Sequence, residues 1–333
     1  MTGDAPLGAL VVGCGAIAGG GERPASAMAP PTHADAYHRH PSYQMVSCIE
    51  PDESRRQRFM HDWNIPSGFV DLESCLAAGT EFSVASVCVP TPAHSEILRK
   101  LLDTPVRAVL CEKPLTDDAR ESAQLVDAYQ EARKTLAVAY LRRWTPAVEE
   151  LKSEFEGGVW GDVRAITGFY TKGVLNNGSH LLDLIRHLFG ALTLDAVTHQ
   201  RLDAGQEDPT VDAVLHLENG VPVHVMGTDF RDYALFELHI ITARGAIGIE
   251  QSGRIVRRRA CMDDPYHDGY KLLAHGEWTE YGHGDSFLHL LDNLKANLED
   301  GTPLTSDGRS AFATQQLCES MIQATQTLSP ACS

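Results

Sequence analysis

The chain has 333 residues, of which 43% are hydrophobic, and this size and composition are typical of a globular protein with two domains. Its 28 basic residues against 45 acidic residues give a net charge of −17, which disfavours nucleic acid and anionic membranes as partners. The same charge would attract a cationic substrate, or it would simply aid solubility.

The cysteines and the N-terminus indicate a cytoplasmic protein. None of the eight cysteines forms a CxxC pair, and several stand in apolar runs such as SVASVCVP, as is usual in a reducing compartment. The apolar start LGALVVGCGAIAGG has no Lys or Arg before it, unlike a signal peptide, because the first basic residue is Arg23. No later apolar run is long enough to cross a membrane.

The first half of the chain alternates short apolar runs with amphipathic segments. Strands are predicted over 8–13, 43–50, 82–90, 106–114 and 135–140, with helices near 33–40, 52–61 and 93–102. Repeated strand–helix–strand units predict a doubly wound parallel sheet, with ligands bound at the carboxyl ends of its strands.

The first of these strand ends carries GCGAIA, residues 13–18, a G-x-G-x-x-A fingerprint. The missing side chains at Gly13 and Gly15 would let backbone amides approach a pyrophosphate, and the small Ala18 would allow close packing of a helix on the strand. Because the motif follows a predicted strand, it indicates a dinucleotide site.

The second strand ends in Glu50, whose carboxylate can accept both ribose hydroxyls of NAD and would repel the 2′-phosphate of NADP. NAD is therefore favoured, although Arg55 and Arg56 follow closely and weaken the preference. Glu50 could also be a solvated strand end.

An insertion separates the fingerprint from the next helix. Residues 19–32 contain three glycines and three prolines, which cannot continue a helix from Gly15. The helix is predicted to begin again after Thr32 as N-cap, with Asp35 three positions later. The inserted loop would lie beside the cofactor, where it would either help to close the substrate pocket or form an excursion without a role.

In the second half, strands follow one another without intervening helices. They are predicted in VRAITGFY, DAVTHQRL, VDAVLHLENG, VPVHVMGT, LFELHIITARG and AIGIEQSGRIVRRR. Glu-Asn-Gly and Ala-Arg-Gly are typical hairpin turns, so the sheet is predicted to be antiparallel, and two helices near 284–299 and 308–328 close the chain. We therefore expect a domain over 1–140 and a second over 141–333.

A row of polar side chains marks the segment NNGSHLLDLIRHLFG, residues 176–190. His180, Asp183 and His187 are spaced i, i+3 and i+7 along one flank of a predicted helix. The row could bind zinc, take part in catalysis or be satisfied within a core. Nothing else nearby has ligand spacing for zinc, so we expect no metal.

Several pieces in this order resemble the Gfo/Idh/MocA family, named after glucose-fructose oxidoreductase, inositol dehydrogenase and MocA. The pieces are GCGAIA, the acidic end of strand two, VCVPTPAHSEIL, CEKPL at 111–115, YLRRWTPAVEELK and the helix with the polar row. The resemblance covers nearly the whole chain. It implies an N-terminal Rossmann domain and a C-terminal α/β domain, whose open, largely antiparallel sheet carries the substrate and the interface of a homodimer or homotetramer.

The resemblance also implies roles for individual residues. Lys113 would lie beside nicotinamide and substrate, His180 would be the catalytic histidine, and Asp183 would hold substrate hydroxyls. The cofactor contacts would be Gly13, Gly15, Ala16, Ile17, Glu50, Pro90, Thr91, Pro92, His94, Glu112 and Lys113. Further candidate substrate neighbours, each of which could also be a surface residue, are Arg142, Tyr170, Lys172, Asn177 and the segment DDPYHDGY.

The chemistry of alcohol oxidation agrees with these roles. A base must take the hydroxyl proton while hydride leaves carbon, and histidine titrates near neutrality. Lys113 could stabilise the developing alkoxide or relay its proton. Many family members have Asp where this chain has Asn176, which cannot titrate but can orient a substrate hydroxyl. Whether His180 or Lys113 is the base therefore stays open, and His187 is expected to pack.

Two classes of function remain. The first is an NAD-dependent dehydrogenase that acts on a ring hydroxyl of a sugar, amino sugar or cyclitol. The second is a non-catalytic sensor that binds NAD or a sugar, which the presence of both Lys113 and His180 disfavours. A related enzyme would be a glycosidase that uses NAD transiently.

Overall fold

A computed structural model describes residues 5–21, 32–203, 205, 207–281 and 285–326. Contacts divide the described residues into two units, the first within 1–144 and 283–312 and the second within 145–282 and 313–333. The helices are α1 His33–Arg39, α2 Glu53–Trp63, α3 Leu72–Ala77, α4 His94–Leu102, α5 Ala119–Glu131, α6 Pro146–Glu156, α7 Ser179–Phe189, α8 Ser286–Asp300 and α9 Gly308–Thr325.

The first unit contains a parallel sheet of six strands. They are β1 Leu7–Val12, β2 Tyr43–Ile49, β3 Ser67–Phe69, β4 Val84–Val87, β5 Ala108–Cys111 and β6 Thr135–Val138. Their order is β3-β2-β1-β4-β5-β6, with every neighbouring pair parallel. This is the strand order of the Rossmann fold, so the predicted fold class is confirmed for this unit. Strands β4 and β5 are buried along their whole length, as expected for a sheet covered by helices on both faces.

Helix α1 begins where the sequence predicted, and its first turn is bonded across the insertion. Thr32 Oγ1 accepts a hydrogen bond from the Asp35 N–H at 3.3 Å, as expected for an N-cap. The Ala34 N–H donates to the Ala18 carbonyl at 2.9 Å, so the start of α1 is attached directly to the end of the fingerprint. Residues 22–31 of the predicted loop lie outside the described residues, and the two roles considered for it stay untested.

Helix α8 belongs to the first unit, although the predicted boundary at residue 140 had assigned it to the second. Its apolar residues Phe287, Leu290, Leu291 and Leu294 recur at helical spacing and are at most 1% exposed. They pack in one cluster with residues of β1, β2 and α1. An amphipathic pattern shows that a helix covers a core but does not show which core it covers.

The second unit contains a sheet of nine strands. They are β7 Val163–Tyr170, β8 Leu192–Arg201, β9 Thr210–Leu217, β10 Pro222–Gly227, β11 Phe236–Thr242, β12 Gly245–Glu250, β13 Ile255–Asp263, β14 Lys271–Leu273 and β15 Glu277–Glu280. The sheet is mixed and mostly antiparallel, because β10 pairs with β7 in parallel whereas the other pairs are antiparallel. Both predicted hairpins form, and the segment expected as one strand after residue 245 divides into β12 and β13.

Cys14, Cys48, Cys75, Cys88, Cys111 and Cys318 are buried and Cys261 is half-buried, all as free thiols. Within the described residues, no helix is long and apolar enough to cross a membrane.

The placement of α8 can be tested by truncating one core side chain. We expect Leu294→Ala to lower the free energy of unfolding by about 2–5 kcal/mol, because the fully buried leucine leaves a cavity. Glu299→Ala, on the exposed side of the same helix, is the control and should cost less than about 1 kcal/mol. Urea unfolding measures both values, and equal small losses would contradict the packing of α8.

Candidate functional site

The glycine-rich turn after β1 forms a cradle at the carboxyl end of the parallel sheet. Gly13 has a φ of +90°, and an added Cβ would lie 2.9 Å from the backbone of Cys88 and Val89, so only glycine fits. A Cβ added at Gly15 would meet no described atom within 4 Å, chain neighbours aside. A cavity of about 450 Å³ lies here, lined in part by Gly15 and Ala16. The cradle therefore leaves room for a ligand against its backbone.

Glu50 joins the end of β2 to this turn. Its Oε2 accepts from the Cys14 N–H and its Oε1 from the Asp52 N–H, both at 3.1 Å. Arg55 Nη1 lies 3.4 Å from both oxygens, and the Glu50 residue is 5% exposed. A carboxylate offers about four lone pairs, so a ribose hydroxyl could bond Glu50 by taking the place of the long contacts with Arg55 at 3.4 Å. Arg55 and Arg58 also line the cavity, which places positive charge beside it.

The turn after β4 contributes exposed or half-buried residues at Pro90, Thr91 and Pro92. His94, which was also predicted to contact the cofactor, does not share their exposure. The residue is 1% exposed, with Nε2 2.9 Å from the Val89 carbonyl and Nδ1 3.0 Å from the Pro114 carbonyl. His94 therefore connects the turn after β4 with the turn after β5 through its contacts with these two carbonyl groups.

Glu112 and Lys113 follow the carboxyl end of β5, and the Lys113–Pro114 peptide is cis. Both residues are half-buried. Glu112 Oε1 lies 2.9 Å from His33 Nε2, and His33 Nδ1 lies 3.1 Å from Ser86 Oγ. Ser86 Oγ in turn lies 2.8 Å from the Tyr37 hydroxyl, so a hydrogen-bonded chain runs from α1 through β4 to the residue before Lys113.

In the second unit, the polar row lies on α7 as predicted, but its members differ in exposure. His180 and His187 are half-buried, which for His187 agrees with a packing role. Asp183 is 2% exposed, and its Oδ1 accepts from Thr314 Oγ1 of α9 at 3.2 Å. Asp183 therefore joins helices α7 and α9, and its contact with substrate stays a prediction.

A single turn of π-helix, Gly173–Gly178, leads directly into α7. The Asp208 carboxylate accepts from the Leu175 N–H at 2.7 Å and from the Asn176 N–H at 3.0 Å. The Asn176 residue is exposed, and the Asn177 amide donates to the Leu235 carbonyl at 3.2 Å. The turn is thus held by its backbone, which leaves the Asn176 side chain at the surface. Such π turns are frequent at functional sites.

Lys172, one residue before this turn, is exposed and adopts a φ of +68°. Its N–H donates to Asp203 Oδ2 at 3.2 Å, an oxygen that also accepts from the Phe230 N–H at 2.9 Å. The Lys172 ammonium lies 5.0 Å from the centre of the Phe230 ring. Asp203 thus joins two loops beside the turn that precedes His180.

Tyr170, predicted as a substrate neighbour, lies in the core of the second unit. The residue is 1% exposed, and its hydroxyl donates to the Val211 carbonyl at 2.8 Å and accepts from the Val211 N–H at 2.7 Å. Burial raises the pKa of this hydroxyl well above its usual value. Tyr170 therefore joins β7 to β9.

Two other predicted substrate neighbours lie elsewhere. Arg142 is half-buried in a 3₁₀ turn of the first unit, and Tyr266 of DDPYHDGY is 87% exposed.

No group of three or more His, Cys, Asp or Glu side chains is arranged to hold a metal among the residues that the structure describes. The sequence analysis missed His33, Ser86, Tyr37 and Asp208, whose contacts cross between distant segments. The only sequence signal for His33 was an imidazole on an otherwise small and apolar face of α1.

Comparison with known proteins agrees with this architecture. A family model described as an oxidoreductase family with an NAD-binding Rossmann fold matches residues 7–140, and the model of its C-terminal α/β domain matches 134–332. The dehydrogenase WlbA of Bordetella pertussis, solved with NADH and UDP-GlcNAcA, has the same fold, with a TM-score of 0.79 at 17% identity over 97% of this chain and 96% of that one.

Two curated relatives are more similar in sequence. Inositol 2-dehydrogenase of Corynebacterium glutamicum is 28% identical over 58% of this chain and 62% of its own length. D-xylose 1-dehydrogenase (NADP(+)) 2 of Haloferax volcanii is 27% identical over 69% of this chain and 65% of its own length. The matches thus span less than two thirds of either relative.

The strand order and the glycine cradle define a dinucleotide-binding protein of the Rossmann class that carries a second α/β unit. More narrowly, the chain belongs to the Gfo/Idh/MocA family of oxidoreductases, whose two domain models together cover residues 7–332.

The structural role of Tyr170 can be tested by removing its hydroxyl. We expect Tyr170→Phe to lower the free energy of unfolding by about 1–3 kcal/mol, because the Val211 N–H and carbonyl lose a buried partner. Any catalytic rate of the folded protein should change less than about threefold, since Tyr170 does not reach substrate. Thermal melting and steady-state rates measure the two effects. A large loss of turnover without loss of stability would restore the predicted substrate contact.

Proposed function

We propose that the chain is an NAD-dependent dehydrogenase that oxidises a ring secondary hydroxyl of a sugar, amino sugar or cyclitol. The observation that carries the proposal is the cradle of about 450 Å³ at Gly15, with an acidic side chain, Glu50, bonded at its edge. Membership of an oxidoreductase family supports the reaction type. The two curated relatives, an inositol dehydrogenase and a xylose dehydrogenase, support a polyol or sugar as substrate class.

The first unit would hold the dinucleotide. Gly15 has no Cβ and lines the cavity together with Ala16, so their backbone amides suit a pyrophosphate, and Glu50 would accept the ribose hydroxyls. Pro90, Thr91 and Pro92 would line the nicotinamide end together with Glu112. The bound nicotinamide supplies the hydride acceptor. NAD is proposed over NADP because Glu50 repels a 2′-phosphate, although Arg55 and Arg58 soften that repulsion.

The proton of the substrate hydroxyl would pass to the chain's own residues. We assign His180 as the base, because an imidazole titrates near neutral pH and this one is half-buried rather than sealed in the core. Lys113 would stabilise the developing alkoxide as a cation. Asn176, exposed on the turn before α7, would orient a substrate hydroxyl with Lys172 and Asn177.

The protein would act as a homodimer or homotetramer. The open face of the sheet in the second unit exposes apolar side chains, Met226 at 38% and Ile241 at 46%. Light scattering after gel filtration measures the mass in solution, and a monomer at micromolar concentration would refute the proposed assembly.

A substrate screen tests the proposed function. The protein is mixed with NAD and with myo-inositol, D-xylose, glucosamine or an aminoglycoside, and NADH absorbance is followed. We expect NADH to form with at least one of them. If an amino sugar is preferred, as the charge of −17 suggests, its KM should rise with added salt. Binding of NADH without turnover would favour a sensor, and release of a free sugar without net NADH would favour a glycosidase.

Cofactor choice can be tested at Glu50. We expect Glu50→Ser to narrow the preference for NAD over NADP, since it removes the acceptor for the ribose hydroxyls and the charge that repels the 2′-phosphate. Asp62→Ser, also at the cavity, is the control and should leave the ratio within about twofold. Titration with NADH and NADPH measures both affinities. Tighter binding of NADPH by the unmodified protein would overturn the assignment of Glu50.

The catalytic assignments can be tested by alanine substitution. We expect Lys113→Ala and His180→Ala each to lower turnover by about a hundredfold or more while NADH binding survives. His187→Ala, on the same helix, is the control and should lower turnover by less than about fivefold. Asn176→Asp should shift the pH optimum or weaken substrate binding without abolishing activity. If His180→Ala retains activity and Lys113→Ala does not, then Lys113 is the base.

A further inference from the structure

Two buried histidines anchor the residues on either side of Lys113. Upstream, His33 Nε2 bonds the Glu112 carboxylate at 2.9 Å. Downstream, His94 Nδ1 lies 3.0 Å from the Pro114 carbonyl. Each histidine is 1% exposed, so neither is available to a ligand. The Glu112 N–H also donates to the Val87 carbonyl at 3.0 Å, which fixes the backbone between the two anchors.

For a neutral His33 ring and an ionised Glu112, the hydrogen bonds at His33 have one direction in which every group is satisfied. An ionised carboxylate only accepts, so Nε2 must carry the hydrogen that is donated to Glu112. In the neutral ring Nδ1 then accepts, and the Ser86 hydroxyl can donate to it at 3.1 Å. The Tyr37 hydroxyl donates to Ser86 Oγ at 2.8 Å. A single tautomer of His33 therefore makes all three hydrogen bonds.

We propose that His33 is a positioning residue that holds Glu112, and with it the segment that presents Lys113. The proposal rests on the proposed function, in which Lys113 acts on the substrate. Lysine has a long flexible side chain, so its placement depends on a fixed backbone. The Glu112 side chain is 15% exposed, and without a donor from His33 its carboxylate is free to turn and to shift the segment. A displacement of about 1 Å can lower a rate by about a hundredfold.

Two substitutions of His33 distinguish the effect of losing its hydrogen bond from the effect of losing its side-chain volume. His33→Leu fills much of the space but donates nothing, whereas the amide of His33→Gln can still reach Glu112. We expect His33→Leu to lower kcat at least about tenfold, with the KM for NAD changed less than about threefold. His33→Gln should recover kcat to within about threefold of wild type. The kinetics use whichever of myo-inositol, D-xylose or glucosamine the wild-type protein oxidises.

Tyr37→Phe is the matched control. It removes the hydrogen bond between Tyr37 and Ser86 but leaves the hydrogen bond between His33 and Glu112 in place. It should change kcat less than about threefold even if it lowers the melting temperature. If Tyr37→Phe and His33→Leu reduce kcat equally, or if His33→Gln fails to recover it, the effect is structural and the positioning role is refuted.

A spectroscopic test needs no substrate and no folded His33 variant. Nitrogen NMR of histidine-labelled protein reports which ring nitrogen carries hydrogen. We expect one buried histidine to carry hydrogen on Nε2, and its Nε2 signal to move in Glu112→Gln. Hydrogen on Nδ1 alone, or no histidine signal that responds to Glu112→Gln, would overturn the proposal. If only the proposed function is wrong, the NMR signal still shows hydrogen on Nε2 and still responds to Glu112→Gln, but the wild-type protein oxidises no polyol or sugar.

Discussion

The hydrogen bond from the Ala34 N–H to the Ala18 carbonyl is the contact on which the cofactor end of the first unit depends. It joins α1 to the fingerprint although 15 residues, 19–33, separate the two bonded residues in sequence. The helix therefore starts against the glycine turn, as a Rossmann crossover requires. It also fixes where His33 and Tyr37 lie, and so which side chains can bond Ser86 and Glu112.

Carboxylates hold backbone N–H groups at several key positions of both units. Glu50 accepts from Cys14 and Asp52, and Asp208 accepts from Leu175 and Asn176. A charged acceptor makes a stronger hydrogen bond than a neutral one, so each acid helps to fix the backbone of its turn. These two carboxylates therefore have a structural role at their turns, whereas most of the 45 acidic residues are not accounted for in this way.

The sequence allowed the fold to be predicted well because the signals were local. The fingerprint, the Thr32 cap and the hairpin glycines each fix nearby backbone, and the βαβ rhythm leaves few topologies. Glu50 and Lys113 were located by their positions at strand ends. The burial of His94, Asp183 and Tyr170 could not be predicted, because a motif places a residue along the chain but burial depends on what packs against it. Tyr170 alternates with half-buried residues on β7, and only the contact with Val211 shows that it faces the core.

The central claim, that the first unit binds a dinucleotide at the glycine turn, is tested most directly by calorimetric titration of Gly15→Val with NADH. A Cβ at Gly15 meets no described atom within 4 Å apart from its chain neighbours, so the variant should fold and melt like the wild-type protein. The added side chain would fill the space beside the pyrophosphate, and we expect NADH affinity to fall about a hundredfold or more. Equal affinity in the variant and the wild-type protein would contradict the placement of the cofactor.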